Sequence, residues 1–256
     1  MLLSQLPRTH YAKAPVHEVI CQLRFPTILS INSADPAEFQ DRIRTILPQY
    51  AKKEERPLPK PGQPQSAELI HNYHFLSADG KWKLNLTRDF IALSTLAYPG
   101  WEDFARMLDK PLAEFIQVYQ PAYFQRIGLR YVNIVSRKKL DLEGTPWSEL
   151  FTPAYLGPLA EPDIAPEQVP AFTAEFSVKM DSSSTAKVKT DTGRLQARPG
   201  TPQDPEEKYI LDLDLSMGGN LPCTFAAGAL ETLHGHAAPV FEGAVTDTLR
   251  RAMDPQ

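Results

Sequence analysis

Long hydrophobic runs and cysteines are what this sequence has least of. No stretch approaches the roughly 18 apolar residues that a transmembrane helix requires, and the first residues lack the cationic-then-apolar order of a signal peptide. We therefore expect a cytoplasmic protein that does not associate with membranes. With only 2 cysteines, Cys21 and Cys223, the chain has no disulfide framework to hold it together.

Recognisable catalytic motifs are also absent. The sequence contains no glycine-rich phosphate loop, no nucleophile elbow, no HExxH zinc motif and no paired CxxC. It predicts no cofactor and favours a protein that is not an enzyme, although catalytic groups can come from distant positions. A net charge of -4 argues against a general coating of nucleic acid, while a local basic patch remains open.

The order of apolar patterns predicts an α+β fold, with mainly antiparallel meander sheets packed against three main helices. Alternation at period two predicts strands, and helical spacing predicts helices near Asp35, from Trp101 and through Pro239. The predicted strands are 16–25, 68–76, 81–88, 90–98, 123–136, 171–180, 186–197 and 208–216. Both halves contain three strands followed by a helix, so two related βββα halves are an open alternative.

The 24 prolines predict where the chain divides, because proline fixes φ and removes a backbone donor. They gather at residues 57–64 and again at 146–170. We expect an N-terminal α+β half at 1–140, a Pro-rich linker at 141–170 and a C-terminal βββα half at 171–256. The two halves could pack as a single domain.

Charged side chains alternate with apolar ones along several predicted strands, and five cations form the candidate ligand-binding set. These are Arg24, Lys81, Lys83, Arg126 and Arg130. One interpretation is that the charged faces are solvated and carry cross-strand ion pairs. The other is that they converge on a cleft and bind a phosphate-bearing or acidic ligand, with Gly128 allowing a close approach.

Two aspartates on one predicted strand are weak candidates for a metal site. Asp212 and Asp214 are two residues apart and project the same way, so their carboxylates could hold a divalent cation. Two ligands do not define a site, so the metal, if any, stays unknown.

Three segments resemble a sporadically distributed family of bacterial proteins of similar length and unknown function. They are YAKAPVHEV from Tyr11 to Val19, RIGLRYVN from Arg126 to Asn133, and HAAPVF from His236 to Phe241. The resemblance implies a bacterial accessory protein of the kind found in defence or toxin-antitoxin modules. It supplies no catalytic residues.

Three functional hypotheses follow, in order of preference. The first is a non-enzymatic binding or regulatory protein that engages a protein partner in such a module. The second is an enzyme or sensor for a phosphorylated small molecule or nucleotide at a charged sheet face. The third is a nucleic-acid-binding protein that uses Lys81, Lys83, Lys187 and Lys189. The oligomeric state is not predicted.

Overall fold

A computed structural model describes residues 2–55, 69–194 and 202–256. Its strands are β1 Val16–Arg24, β2 Gln49–Glu55, β3 Ile70–Leu76, β4 Trp82–Leu86, β5 Phe90–Thr95, β6 Phe124–Val135, β7 Phe172–Lys179, β8 Ser184–Gly193 and β9 Lys208–Leu221. Its helices are α1 Leu29–Ser33, α2 Ala37–Ile43, α3 Trp101–Tyr119, α4 Trp147–Leu150, α5 Ala226–Ala244 and α6 Asp247–Ala252.

All of these strands belong to one antiparallel sheet, in the order β2-β3-β4-β5-β1-β6-β9-β8-β7. The α+β prediction with antiparallel sheet and three main helices is confirmed. Within the described part of the chain, no helix is both long enough and apolar enough to cross a membrane.

The alternation expected from the sequence sets the two faces of the strands. In β1, Val19, Cys21 and Leu23 are buried while the residues between them are half-buried or exposed. In β9, Tyr209 and Leu215 belong to a buried row, and the intervening side chains are only half-buried. A strand places successive side chains on opposite faces, so one face packs into the core and the other carries the polar groups.

The chain forms two compact units, each assembled from segments that are distant in sequence. Unit 1 comprises residues 1–17, 130–216 and 231–256. Unit 2 comprises residues 18–129 and 217–230.

The core of unit 2 lies between its strands and helices α2 and α3. Phe39 of α2 meets Phe75 of β3 edge to face, with ring centroids 5.5 Å apart, and Phe115 of α3 packs 4.8 Å from Phe25. The apolar stripe of α3 is buried as its spacing predicts, and the helix runs through Pro111.

The core of unit 1 is rich in aromatic rings. Phe151 stacks on Tyr209 with centroids 3.8 Å apart, and Trp147 lies 5.5 Å from Tyr209. The segment 141–170, predicted to be a Pro-rich linker, therefore contributes Trp147, Phe151 and Tyr155 to a packed core and contains α4. The helix α5 continues through Pro239.

Strand β2 was not predicted at all. The helix predicted near Asp35 is α2, and Asp35 itself pairs with Lys52 of β2, with Oδ1 3.1 Å from Nζ. The predicted linker at 57–64, the start of the strand at 68 and the strand end at 195–197 lie outside the described residues.

Candidate functional site

The sheet face of unit 2 opposite its aromatic core carries a row of polar side chains, of which Asn72 and His74 are buried, and we call it the polar face. Strand pairing aligns His74 of β3 with Asn85 of β4, Asn85 with Ala92 of β5, and Ala92 with Gln22 of β1. Asn85 donates from Nδ2 to Oδ1 of Asn72 at 2.9 Å. Ala92 is the small residue of the row and lies between Asn85 and Gln22, whose side chains are half-buried.

Three cationic side chains lie near this row, on strands β1, β2 and β4. Arg24 lies opposite Phe90, Lys83 lies opposite Ser94, and Lys53 lies opposite Asn72. Among the described residues, none of these three cations has an ion pair or a side-chain hydrogen bond. We call Arg24, Lys53 and Lys83 the rim cations.

The strand register sets the spacing of the rim cations. The partners of Arg24 and Lys83 on β5 are Phe90 and Ser94, four positions apart. At about 3.4 Å per residue along the strand and about 4.8 Å between strands, the two Cα atoms are roughly 17 Å apart. A separation of this size suits an extended anionic surface better than a single small anion.

Arg126 has a different position. Its guanidinium lies directly over Gly128, where an added Cβ would meet the guanidinium carbon at 2.8 Å. The close approach that the sequence suggested at Gly128 is therefore made by the Arg126 side chain of the same strand. Packing of the Arg126 side chain therefore accounts for the glycine between the two arginines.

Arg130 forms an ion pair with Asp212, and both residues belong to unit 1. Its Nε donates to Oδ1 of Asp212 at 2.7 Å and its Nη2 to Oδ2 at 2.5 Å, a two-point pair between β6 and β9. Asp212 is thereby engaged as an acceptor for a guanidinium. Across residues 2–55, 69–194 and 202–256, no group of three or more His, Cys, Asp or Glu side chains is placed to hold a metal ion. The proposal that Asp212 and Asp214 bind a metal stays a prediction.

The other lysines of the sequence hypotheses also face carboxylates. Lys81 lies 3.3 Å from Asp79, at the turn before β4, and Lys187 lies 2.9 Å from Glu175 across β7 and β8. These are exposed pairs of the kind expected on a solvated sheet face. Of the five candidate cations, Arg24 and Lys83 are the two on the rim of the polar face.

A second group of polar residues surrounds α5 in unit 1. The ring of His234 is 8% exposed, and its Nδ1 lies 2.7 Å from the hydroxyl of Tyr131 and 3.3 Å from Nη1 of Arg8. An arginine can only donate, so Nδ1 is an acceptor and the ring is neutral. Burial, with the charges of Arg8 and His10, lowers the pKa of His234 to about 3.

Further along α5, Glu242 is a carboxylate that is only 3% exposed. Tyr11 donates to its Oε1 at 2.8 Å, and Arg250 donates from Nε to its Oε2 at 2.9 Å. Burial and the Glu242 carboxylate raise the pKa of Tyr11 to about 12, so the phenol remains a donor at neutral pH. A depression of about 500 Å³ opens beside Glu242 and Arg250.

The chain matches no protein-family model. No curated protein sequence matches it either. The resemblance of its three segments to an uncharacterised bacterial family thus stays a prediction. Two of those segments meet in the structure, because Tyr11 lies against Phe241 with ring centroids 6.2 Å apart.

Sequence reasoning missed Lys53, Asn72, Glu242 and Arg250. Lys53 lies on β2, which has no apolar alternation to reveal it. Glu242 occurs inside the apolar pattern of α5, and a charged residue at a core-facing helical position is the signal that could have identified it.

Proposed function

We propose that this protein is a non-enzymatic binding protein of a bacterial accessory or defence module, and that it engages an acidic protein partner through the polar face of unit 2. The observation that carries the proposal is the set of rim cations, Arg24, Lys53 and Lys83, which have no ion pair within the described residues. The bacterial setting comes from the resemblance of the three sequence segments.

The spacing of the rim cations favours a macromolecular partner. Cations roughly 17 Å apart match carboxylates distributed over a protein surface better than they match one small anion. The net charge of -4 repels an acidic partner from the rest of the surface, so the rim cations would select the orientation in which such a partner associates. The half-buried amides of Asn85 and Gln22 would then supply hydrogen bonds at the centre of the interface.

The test is recovery of a partner that depends on these cations. The tagged protein, expressed in a bacterial host, should retain a partner in a fixed stoichiometric ratio, and the double variant R24A/K83A should lose it. The matched control is the double variant K81A/R130A, in which both cations removed already face carboxylates, and it should keep the partner. Equal recovery with both double variants, or no partner at all, would refute the proposal.

An enzyme or sensor for a phosphorylated small molecule or nucleotide is the second candidate. The row of His74, Asn85 and Gln22 favours it, because neighbouring donors and acceptors suit a base or a sugar. A ligand at 100 times its Kd would stabilise the fold by about 2.7 kcal/mol. A thermal shift with nucleotides that R24A or K83A abolishes would favour this candidate. Binding of nucleic acid that weakens steeply with salt would favour the third hypothesis.

A further inference from the structure

Strand β7 is an open edge of the sheet in unit 1, and it has no role in the proposed function. It is the last strand in the sheet order, and within the described residues it pairs only with β8. Between Phe172 and Lys179 it contains no proline and only two charged side chains, whereas the other edge strand, β2, carries four charged residues in seven. An edge without such protection presents its backbone donors and acceptors to a further strand.

The hairpin register decides which backbone groups of β7 face the open edge. Met180 donates from its amide to the carbonyl of Ser184 at 3.0 Å, where the β7–β8 pairing ends. The hydrogen-bonding groups of successive residues point to opposite sides of a strand, so the amides and carbonyls of Glu175, Ser177 and Lys179 point away from β8. In the part of the chain that the structure describes, no backbone hydrogen bond from another segment reaches these three residues.

The side chains of the same three residues are complementary to themselves. Glu175, Ser177 and Lys179 are all exposed on one face of β7. When two β7 strands pair antiparallel about a two-fold axis at Ser177, Glu175 of each copy lies directly opposite Lys179 of the other. Lys179 has no ion pair among the described residues. The side chain of Glu175 accepts from Lys187 at 2.9 Å and is still 51% exposed, so each copy can offer a cation to an accessible acid of the other.

The other face of β7 is apolar and incompletely buried at this edge. Ala174, Phe176 and Val178 are half-buried, and Phe176 packs edge to face on Tyr155 with ring centroids 5.6 Å apart. In the same antiparallel register, Phe176 of one copy lies opposite Val178 of the other. Aromatic and β-branched side chains form favourable pairs across strands, and this pairing would remove their remaining apolar surface from water.

From this geometry we infer that two copies of the chain associate through β7, so that their sheets join antiparallel about a two-fold axis at Ser177. The pairing forms about six backbone hydrogen bonds, shared between the Ser177 pair and the two Glu175–Lys179 pairs. The contact is the same on both copies, so it closes on a dimer and leaves neither β7 edge open.

The experiment measures the mass of the full chain in solution by sedimentation equilibrium. The wild type should form a species of twice the 28.7 kDa of one chain. K179E should raise the dissociation constant at least tenfold, because two pairs of carboxylates then face each other across the interface. The charge swap E175K/K179E should restore the dimer, since each cation again lies opposite an acid.

The matched control is K110E, which makes the same change of charge at an exposed lysine of α3 and should keep the dimer. If K179E fails to fold, S177E decides. Its carboxylate can pair with Lys187, which lies opposite on β8, so folding of the single chain is preserved. Two such carboxylates would meet at the two-fold axis, and the dissociation constant should again rise at least tenfold.

Hydrogen exchange locates the contact. The amides of Glu175, Ser177 and Lys179 should exchange at least tenfold more slowly at concentrations at which the chain is a dimer than at those at which it is a monomer. A monomeric wild type at its highest soluble concentration would overturn the inference. So would an unchanged dissociation constant in the decisive variant, an equal loss with K110E, a charge swap that restores no dimer, or protection confined to other amides.

Discussion

Acidification should destabilise this protein through His234, and H234N should remove much of that effect. The lone pair of Nδ1 in the neutral ring faces both the Tyr131 hydroxyl and Arg8, so a proton at this nitrogen would break the Arg8 contact and place two positive charges together. Asparagine can present an oxygen near the position of Nδ1 but takes up no proton in this range.

The magnitude follows from linkage between protonation and folding. The unfolded chain binds a proton at His234 with a pKa of about 6.5, while burial lowers the pKa in the folded state to about 3. Between these values the unfolded state holds more protons, so stability is complete above pH 6.5 and is lost as the pH falls towards 3. At pH 5 this difference in proton binding would lower the free energy of unfolding by about 2 kcal/mol. Solvent screening near the surface reduces the expected loss to about 1–2 kcal/mol.

Urea unfolding followed by circular dichroism at pH 7.5, 6 and 5 measures this loss. We expect H234N to be less stable than the wild type at pH 7.5, because the ring contacts are lost, and to lose about 1–2 kcal/mol less between pH 7.5 and 5. H17N, at an exposed histidine, is the control and should follow the wild type. Parallel losses in the wild type and H234N, or an NMR titration of His234 near pH 6.5, would refute the reasoning.

Three further predictions concern packing and hydrogen bonds. Y11F should lower the free energy of unfolding in urea by about 1–2 kcal/mol, because the buried Glu242 carboxylate loses a donor. A change no larger than that of the control Y50F would contradict this. G128A should lower the free energy of unfolding by about 1 kcal/mol or less, because only the far end of the Arg126 side chain has to move. A loss above about 3 kcal/mol would contradict this. G243A should speed hydrogen exchange in residues 2–6, because the new Cβ meets the backbone of Leu2, whereas unchanged exchange would place that segment elsewhere.

Strands β1 and β9, which alternate most clearly, were predicted from the sequence, whereas β2 was missed. Most positions of β1 and β9 lie on the face that their residue type predicts, with Ile20 and Ile210 as exceptions, so periodicity was sufficient to predict both strands. Strand β2, with the sequence QYAKKEE, has almost no apolar side chains because it lies at the sheet edge. Charged residues there discourage pairing with another chain, and this protection removes the signal that would have revealed the strand.

The partners of the candidate side chains could not be predicted, because they depend on which strands become neighbours. Arg130 and Asp212 are 82 residues apart, and they meet only because β6 lies beside β9. Tyr11 and Glu242 are 231 residues apart and come together where the N-terminal segment meets α5. Periodicity predicts the face on which a side chain lies, but it contains no information on the neighbouring strand or helix.

Pairing therefore decides which cations can attract a partner, and the segment RIGLR shows why. Its two arginines suggested an anion site, but Arg126 lies over Gly128 and Arg130 holds Asp212 at two points. A guanidinium that already satisfies a carboxylate gives up that bond before it can bind another anion, so its net contribution to affinity is small. Arg24 and Lys83 have no such competitor within the described residues, and charge reversal there should change binding far more than at Arg130.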